Sequence, residues 1–314
     1  MKTPRALACF TGALALLAAC SDDGGGTGGG AGTGGSGSGT GAGDQGGGSV
    51  TNGAGGQAMT SGTGGSGGGT PSGIQTVFVI TMENHSWSSI GGSASAPYIN
   101  GTLSSIAARA GNYLTPPDLH PSEPNYIWLE AGSNLGITND KPPANNHKST
   151  TAHLTTQLEA AGISWKAYAE DIPGTDCPLE DVDLFSPKHT PQLFFDDVTD
   201  TNDAASQHCI DHVRPYGELS GDLASNDVAR YNFITPNLCN DMHGEILGIT
   251  CNIAVTDTIE LGDTFLSQAI PMIMGSAAYQ NGGLIVVWWD EGDESLSGAS
   301  DGPLPFFVIS VSIR

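Results

Sequence analysis

The chain has 314 residues, 46 of them glycine, and its 10 basic and 33 acidic side chains give a net charge of −23. Such an excess of acid argues against a nucleic-acid partner, because phosphate backbones are held by lysine and arginine that displace counterions. Of the glycines, 26 fall in the 50 residues from Gly24 to Gly73, with no period of three and few prolines, which excludes a collagen-like or fibrous chain.

Lys2 and Arg5 form a positive start, Ala6 to Ala19 is apolar but short for a membrane span, and small residues precede Cys20. Leu17-Ala18-Ala19-Cys20 resembles a bacterial lipobox. That resemblance implies a signal peptide over 1–19, cleavage before Cys20, lipidation of its thiol, and export to the cell envelope. The expected location is the outer membrane, facing the periplasm or the cell surface, with the lipid anchor as the only membrane contact. The chain after cleavage would hold 8 basic against 33 acidic groups, a net −25. Residues 20–73 carry Asp44 as the one charge after Gly24 and too little apolar surface to offset ordering, so they read as a disordered tether. Residues 74–314 have ordinary composition and suffice for one domain with a real core.

In that domain, Thr76 to Ile80 and Leu284 to Trp289 are continuous apolar runs, as strands buried on both faces of a parallel sheet should be. Ser164 to Tyr168, Tyr231 to Thr235 and Phe306 to Ser310 are further predicted strands. Helices are predicted over Pro97 to Ala110, Thr151 to Ala161 and Asp257 to Tyr279, the last two closed by Gly162 and Gly282. The alternation predicts an α/β fold, a three-layer α/β/α sandwich around a mostly parallel sheet. Beyond Cys9 and Cys20 four cysteines remain, and export would favour two disulfides. Of the three pairings, Cys177 with Cys209 and Cys239 with Cys251 each close a local loop and are favoured.

The two most apolar strands run directly into Met82-Glu83-Asn84-His85 and Asp290-Glu291-Gly292-Asp293-Glu294. Ligands of open α/β sheets bind at strand carboxyl ends, so Glu83, Asn84, Asp290 and Glu291 are candidate ligands of one shared divalent cation. Their oxygen donors suit calcium, magnesium or manganese without choosing among them.

Met82 to Ser86, His120-Pro121-Ser122-Glu123-Pro124-Asn125-Tyr126, Pro236 to His243 and Trp289 to Asp293 together resemble, in order and spacing, the phosphoesterase family of bacterial acid phosphatases and phospholipases C. Ser164 to Asp171 and Lys188 to Pro191 are also similar to family segments. The resemblance implies an alkaline-phosphatase-like fold and metal-assisted phosphoryl transfer through a covalent intermediate. It makes Ser122 the nucleophile and His243 the first proton donor, with His120 and His189 behind it. Lys188 would contact a phosphate oxygen, and Asn125 would orient the serine loop. The implied substrate is a small phosphate ester or a phospholipid head group. A phosphomonoesterase is expected first, then a phospholipase C-type phosphodiesterase, and a non-catalytic surface binding protein stands as a third reading. His147, His153, His208 and His212 match no motif and receive no role. Relatives continue past the last strand into a His-Tyr-Ser run and a helix, so the sheet face near Phe306 to Ile309 is expected to be uncovered.

Overall fold

In the computed structural model the described residues are 73–244, 251, 257–293 and 301–311. The leader, Cys20 and the tether up to residue 72 lie outside them, as does Glu294.

Seven strands form one sheet: β1 (Thr76–Met82), β2 (Ala108–Arg109), β3 (Trp165–Ala169), β4 (Val213–Pro215), β5 (Tyr231–Thr235), β6 (Gly283–Trp289) and β7 (Phe306–Ser310). Their order is β2-β7-β6-β1-β5-β3-β4. The run from β6 to β4 is parallel, whereas β7 pairs antiparallel with both β6 and β2. The four longer helices among the described residues are α1 (Ser122–Ala131), α2 (Leu154–Ala160), α3 (Tyr216–Ser225) and α4 (Thr258–Met274).

Alternation along β1 divides the core between the two faces of the sheet. Phe78, Ile80 and Met82 pack with Leu219 and Leu223 of α3 and with Leu266, Ile270 and Ile273 of α4. Val77 and Val79 pack with Tyr126 and Ile127 of α1 and Leu158 of α2. Helices therefore cover both faces, which is the three-layer α/β/α arrangement with a mostly parallel sheet. Central strands covered this way are apolar at nearly every position, and all seven residues of β1 and of β6 are buried, Thr76 and Thr81 of β1 included.

Three predicted helices are redrawn by competing hydrogen bonds. Within Pro97 to Ala110, Tyr98–Leu103 is a π-helical turn and Ser104–Ile106 a short α-turn. Asp263 of α4 accepts from the amides of Tyr98 and Ile99, and Ser104 Oγ donates to the Ile99 carbonyl. The sheet edge then takes Ala108–Arg109 as β2, paired with Val308 and Phe307. The second helix starts only at Leu154, because His153 and Thr155 are held by Glu130 of α1. The third splits at Gly275-Ser276, where the Ser276 hydroxyl caps a separate turn, Ala277–Gln280, by accepting from the Tyr279 amide.

At β7 the expectation of an open face holds on one side only. Phe307 and Ile309 are buried, and Phe307 packs edge-on against Trp87 and Trp289. Phe306 and Val308, on the opposite face, are half-buried, with the Tyr113 ring 5.1 Å from Phe306.

Both favoured disulfides are formed. Cys177–Cys209 has a Cα separation of 5.5 Å and Cys239–Cys251 one of 5.3 Å. The second ties down the loop that follows β5, which carries Asp241 and His243.

Candidate active site

The carboxyl ends of β1 and β6 lie side by side, with Met82 paired in register with Trp289. Glu83 and Asn84 continue from β1, and Asp290 and Glu291 from β6. Glu83 and Asp290 are fully buried. The amide of Asn84 donates to Asp290 Oδ1 at 3.3 Å, which couples the two strand ends. Gly292 fits closely here: a Cβ would meet Ser86 Oγ at 2.5 Å and force that hydroxyl to move, and the Gly292 amide donates to Asp301 Oδ2 at 2.8 Å.

Ser122 is the first residue of α1, so the expected serine loop is in fact a helix N-terminus. Pro124 is tolerated because first-turn amides have no intrahelical acceptor. Ser122 Oγ donates to Glu83 Oε2 at 2.9 Å and lies 3.4 Å from Glu291 Oε1. One turn along, Asn125 Nδ2 donates to the Leu119 carbonyl at 2.8 Å and to Glu291 Oε2 at 3.1 Å. Asn125 thus braces both the approach to Ser122 and the carboxylate beside it.

The remaining candidates close the site. His120 has Nδ1 at 2.8 Å from Glu291 Oε2 and Nε2 at 2.9 Å from Asp301 Oδ2. Lys188 and His189 lie in the 3₁₀ turn Pro187–His189. His189 faces Glu83 Oε1 at 3.2 Å and Asp241 Oδ2 at 3.0 Å. Lys188 Nζ donates to Asp140 Oδ2 at 3.0 Å and to His243 Nε2 at 3.3 Å. Accepting there puts the His243 ring proton on Nδ1, which is buried and has no protein partner. His120, His243, Asn84 and Glu291 line one cleft.

Residues that sequence reasoning gave no role complete this arrangement. Tyr126 donates to Glu83 Oε1 at 2.5 Å, and Asp241 Oδ1 accepts from the His243 amide at 2.7 Å. Both stand inside motifs already recognised, so their position in the run was the available signal. Asp140 and Asp301 come from loops without any pattern.

The electrostatics are those of an anionic cage. Burial, then Asp290 and Asp241, hold Glu83 well above the usual carboxylate range. Burial raises Asp241 likewise. Burial lifts Asp290 to about 6, and burial followed by the Asp290 charge lifts Glu291 to about 9. Among the described residues, Lys188 is the lysine that acts on these acids. Burial alone would lower it, but Glu83, Asp140 and Asp290 outweigh that and raise it. Burial, then Lys188, depresses both His189 and His243, the latter to about 4.

These residues fit a divalent cation. Asp290 Oδ2 is buried with no hydrogen-bond partner. The Asn84 side-chain amide sits 3.1 Å from Glu291 Oε1 and 3.2 Å from Glu83 Oε2, and turned with nitrogen outward it donates to both. Turned with oxygen outward, it adds a neutral donor to three carboxylates that cannot all ionise side by side without a counter-charge. A second donor set shares Glu83: its carboxylate, His189 and His243 present ligand atoms within 4.8 Å of one another.

A stability test follows from the raised carboxylates. Their ordinary value is about 4, so the fold favours the protonated forms. The stability they confer is full below about pH 4 and is lost as pH rises to about 6 through Asp290 and about 9 through Glu291. The melting temperature of chelated protein should therefore fall from pH 5 to pH 9. A divalent cation at about 100 times its Kd adds about 2.7 kcal/mol, roughly 5–10 °C for a domain of this size. Because protons compete for the same oxygens, the gain should be larger at pH 8 than at pH 5; equal gains would speak against these ligands.

The order of these residues along the chain agrees with a family model, the Phosphoesterase family, which matches residues 116–295. The chain belongs to the phosphoesterase family. Hydrolysis of phosphoric esters is the chemistry of that family. This phosphoesterase is 28% identical over 238 residues to a phosphatidylinositol-3-phosphatase of Mycobacterium tuberculosis, covering 76% of this chain and 69% of the relative. It is 31% identical over 182 residues to a phosphate-repressible acid phosphatase of Penicillium chrysogenum, covering 55% of this chain. The chain spans 39% of that fungal enzyme's length. Among solved structures, an alkaline phosphatase superfamily protein from Vibrio parahaemolyticus aligns with a TM-score of 0.49 at 11% identity, over 78% of this chain and 62% of that one.

Proposed function

We propose that this phosphoesterase is a metal-dependent phosphomonoesterase that works through a phosphoserine at Ser122. The observation carrying the proposal is the Ser122 hydroxyl at the N-terminus of α1, hydrogen-bonded to Glu83 and flanked by Glu291. Glu83, Asn84, Asp290 and Glu291 would hold the cation. When bound, that ion supplies charge neutralisation and lowers the pKa of the serine hydroxyl.

In the first displacement Ser122 Oγ bonds to phosphorus and passes its proton to Glu83, which a bound cation would keep ionised despite its raised pKa, while the bond from phosphorus to the leaving oxygen breaks. His120 keeps Nδ1 on Glu291 and turns its Nε2 proton from Asp301 to the leaving oxygen, which it protonates. We place His120 ahead of His243, the first expected donor, because burial and Lys188 hold His243 down at about 4 and its Nε2 accepts from Lys188. The free Nδ1–H of His243 and the Lys188 ammonium instead hydrogen-bond the phosphoryl oxygens, and the α1 N-terminus adds its positive pole. In the second displacement water attacks the phosphoserine, giving its proton to His120, and Ser122 regains a proton from Glu83.

Phosphatases among the relatives support the monoester preference. The basic start, the lipobox-like run and the glycine tract support an exported protein tethered by lipid at Cys20. Hydrolysis of p-nitrophenyl phosphate between pH 5 and 8 should exceed that of bis(p-nitrophenyl) phosphate at least ~10-fold, vanish with chelator and return with calcium, magnesium or manganese. Preference for the diester or for phosphatidylcholine would make it a phospholipase C-type enzyme, and a folded protein that cleaves neither would make it a binding protein.

A further inference from the structure

Near the start of β3, at the end of the strand away from the carboxyl ends that carry the site, lies a cluster that the proposed reaction does not use. Glu159 of α2 and His208 and His212 of the short helix Gln207–His212 bring one ligand atom each within 4.8 Å of one another. The histidines are one helical turn apart and face the same side. All three side chains are open to solvent, between 27% and 38% exposed.

Hydrogen bonding fixes what the two rings present. His208 Nδ1 lies 3.0 Å from the Asp197 carbonyl, and His212 Nδ1 lies 2.8 Å from the His208 carbonyl. A carbonyl oxygen only accepts, so each Nδ1 carries a proton, and each ring when neutral offers a lone pair at Nε2. Burial lowers His208, but Glu159 and the Asp197 carbonyl raise it overall, so a proton competes with a metal ion for its Nε2. Both lone pairs point towards Glu159 Oε1, at 2.8 and 3.7 Å. With both rings neutral the three acceptors repel one another, and either a proton on His208 Nε2, 2.8 Å from Glu159 Oε1, or a metal ion among them relieves this. A backbone carbonyl holding the distal ring nitrogen is also how metal-bound histidines are oriented. Trp165 anchors the third donor, since its Nε1 donates to Glu159 Oε1 at 2.7 Å and its ring stacks on His212 at 4.5 Å. The Cys177–Cys209 disulfide fixes the helix between the two histidines.

We propose that Glu159, His208 and His212 form a second metal site, for a divalent transition-metal ion of the zinc type, separate from the catalytic cation. Two imidazole nitrogens and one carboxylate suit zinc, with water in a fourth position, better than they suit calcium or magnesium. The ion joins α2 to the disulfide-anchored helix.

The test is equilibrium dialysis of the untagged, metal-stripped protein against zinc at pH 7.5, with metal counted by mass spectrometry. Wild type should retain one equivalent more than H208A/H212A and than E159Q, in which the Trp165 hydrogen bond can persist. Cupric ion should quench part of the tryptophan fluorescence in wild type and not in the double variant, and p-nitrophenyl phosphate turnover should be unchanged in both variants. Equal zinc content in wild type and variants would overturn the proposal and leave a protonated His208 paired with Glu159 as the occupant. Far-ultraviolet circular dichroism identifies any variant that fails to fold, and E159Q, which alters no backbone-bound ring, then decides the matter.

Discussion

Ser122→Ala is expected to lower p-nitrophenyl phosphate turnover by at least about 10³-fold, the scale on which removing an activated nucleophile acts. The same change should leave the fold almost untouched. Ser122 is 2% exposed and its hydroxyl satisfies one oxygen of Glu83, but the other oxygen keeps the Tyr126 hydroxyl. Losing one hydrogen bond to a carboxylate that the fold already favours in protonated form costs about 1 kcal/mol. A kcat near zero with a melting temperature within a few degrees of wild type is the combination expected. A variant that retains more than a tenth of wild-type turnover would remove Ser122 from the reaction.

Asp290→Asn is expected to move activity and stability in opposite directions. Losing a charged ligand should weaken cation binding and lower turnover by about 10²-fold or more, since even outer contacts to metal ligands are worth ~10–100-fold. The metal-free protein should become more stable at pH 8. Burial lifts Asp290 to about 6, so holding it ionised at pH 8 costs on the order of 3 kcal/mol. Asparagine removes that cost, and its oxygen can still accept from the Asn84 amide. Melting of the chelated variant above chelated wild type, with loss of the cation-induced shift, is the outcome that fits. A chelated variant melting below wild type at pH 8 would mean that Asp290 is stabilising and not a ligand held in reserve. Function here is expected to be bought with stability, as at other strained sites.

How far these features could be read from the amino acids depends on what each position must satisfy. β1 and β6 were legible because burial on both faces leaves no charged residue and, apart from Thr76 and Thr81, no polar one within them, and the first charged residues after them are Glu83 and Asp290. The helix α1 was hidden by its own site. Pro121 and Pro124 around Ser122 read as a loop, yet both stand where a helix needs no amide donor. Residues 97–110 carry helical periodicity, but the Asp263 carboxylate and the edge of β7 compete for their amides, contacts some 160 and 200 residues away that no local pattern reveals. Asp140 and Asp301 were silent for a similar reason: each reaches the site from an irregular loop, to Lys188 and His120 respectively. His208 and His212 matched no family run, and only the fold brings Glu159 to them.

The central claim is that hydrolysis proceeds by two successive displacements, with Ser122 carrying the phosphoryl group between them. Each in-line displacement inverts phosphorus, so a phosphorothioate monoester made chiral at phosphorus with 16O and 18O and hydrolysed in 17O-water should release chiral inorganic thiophosphate with net retention. Net inversion would mean that water attacks the substrate directly and would contradict the account.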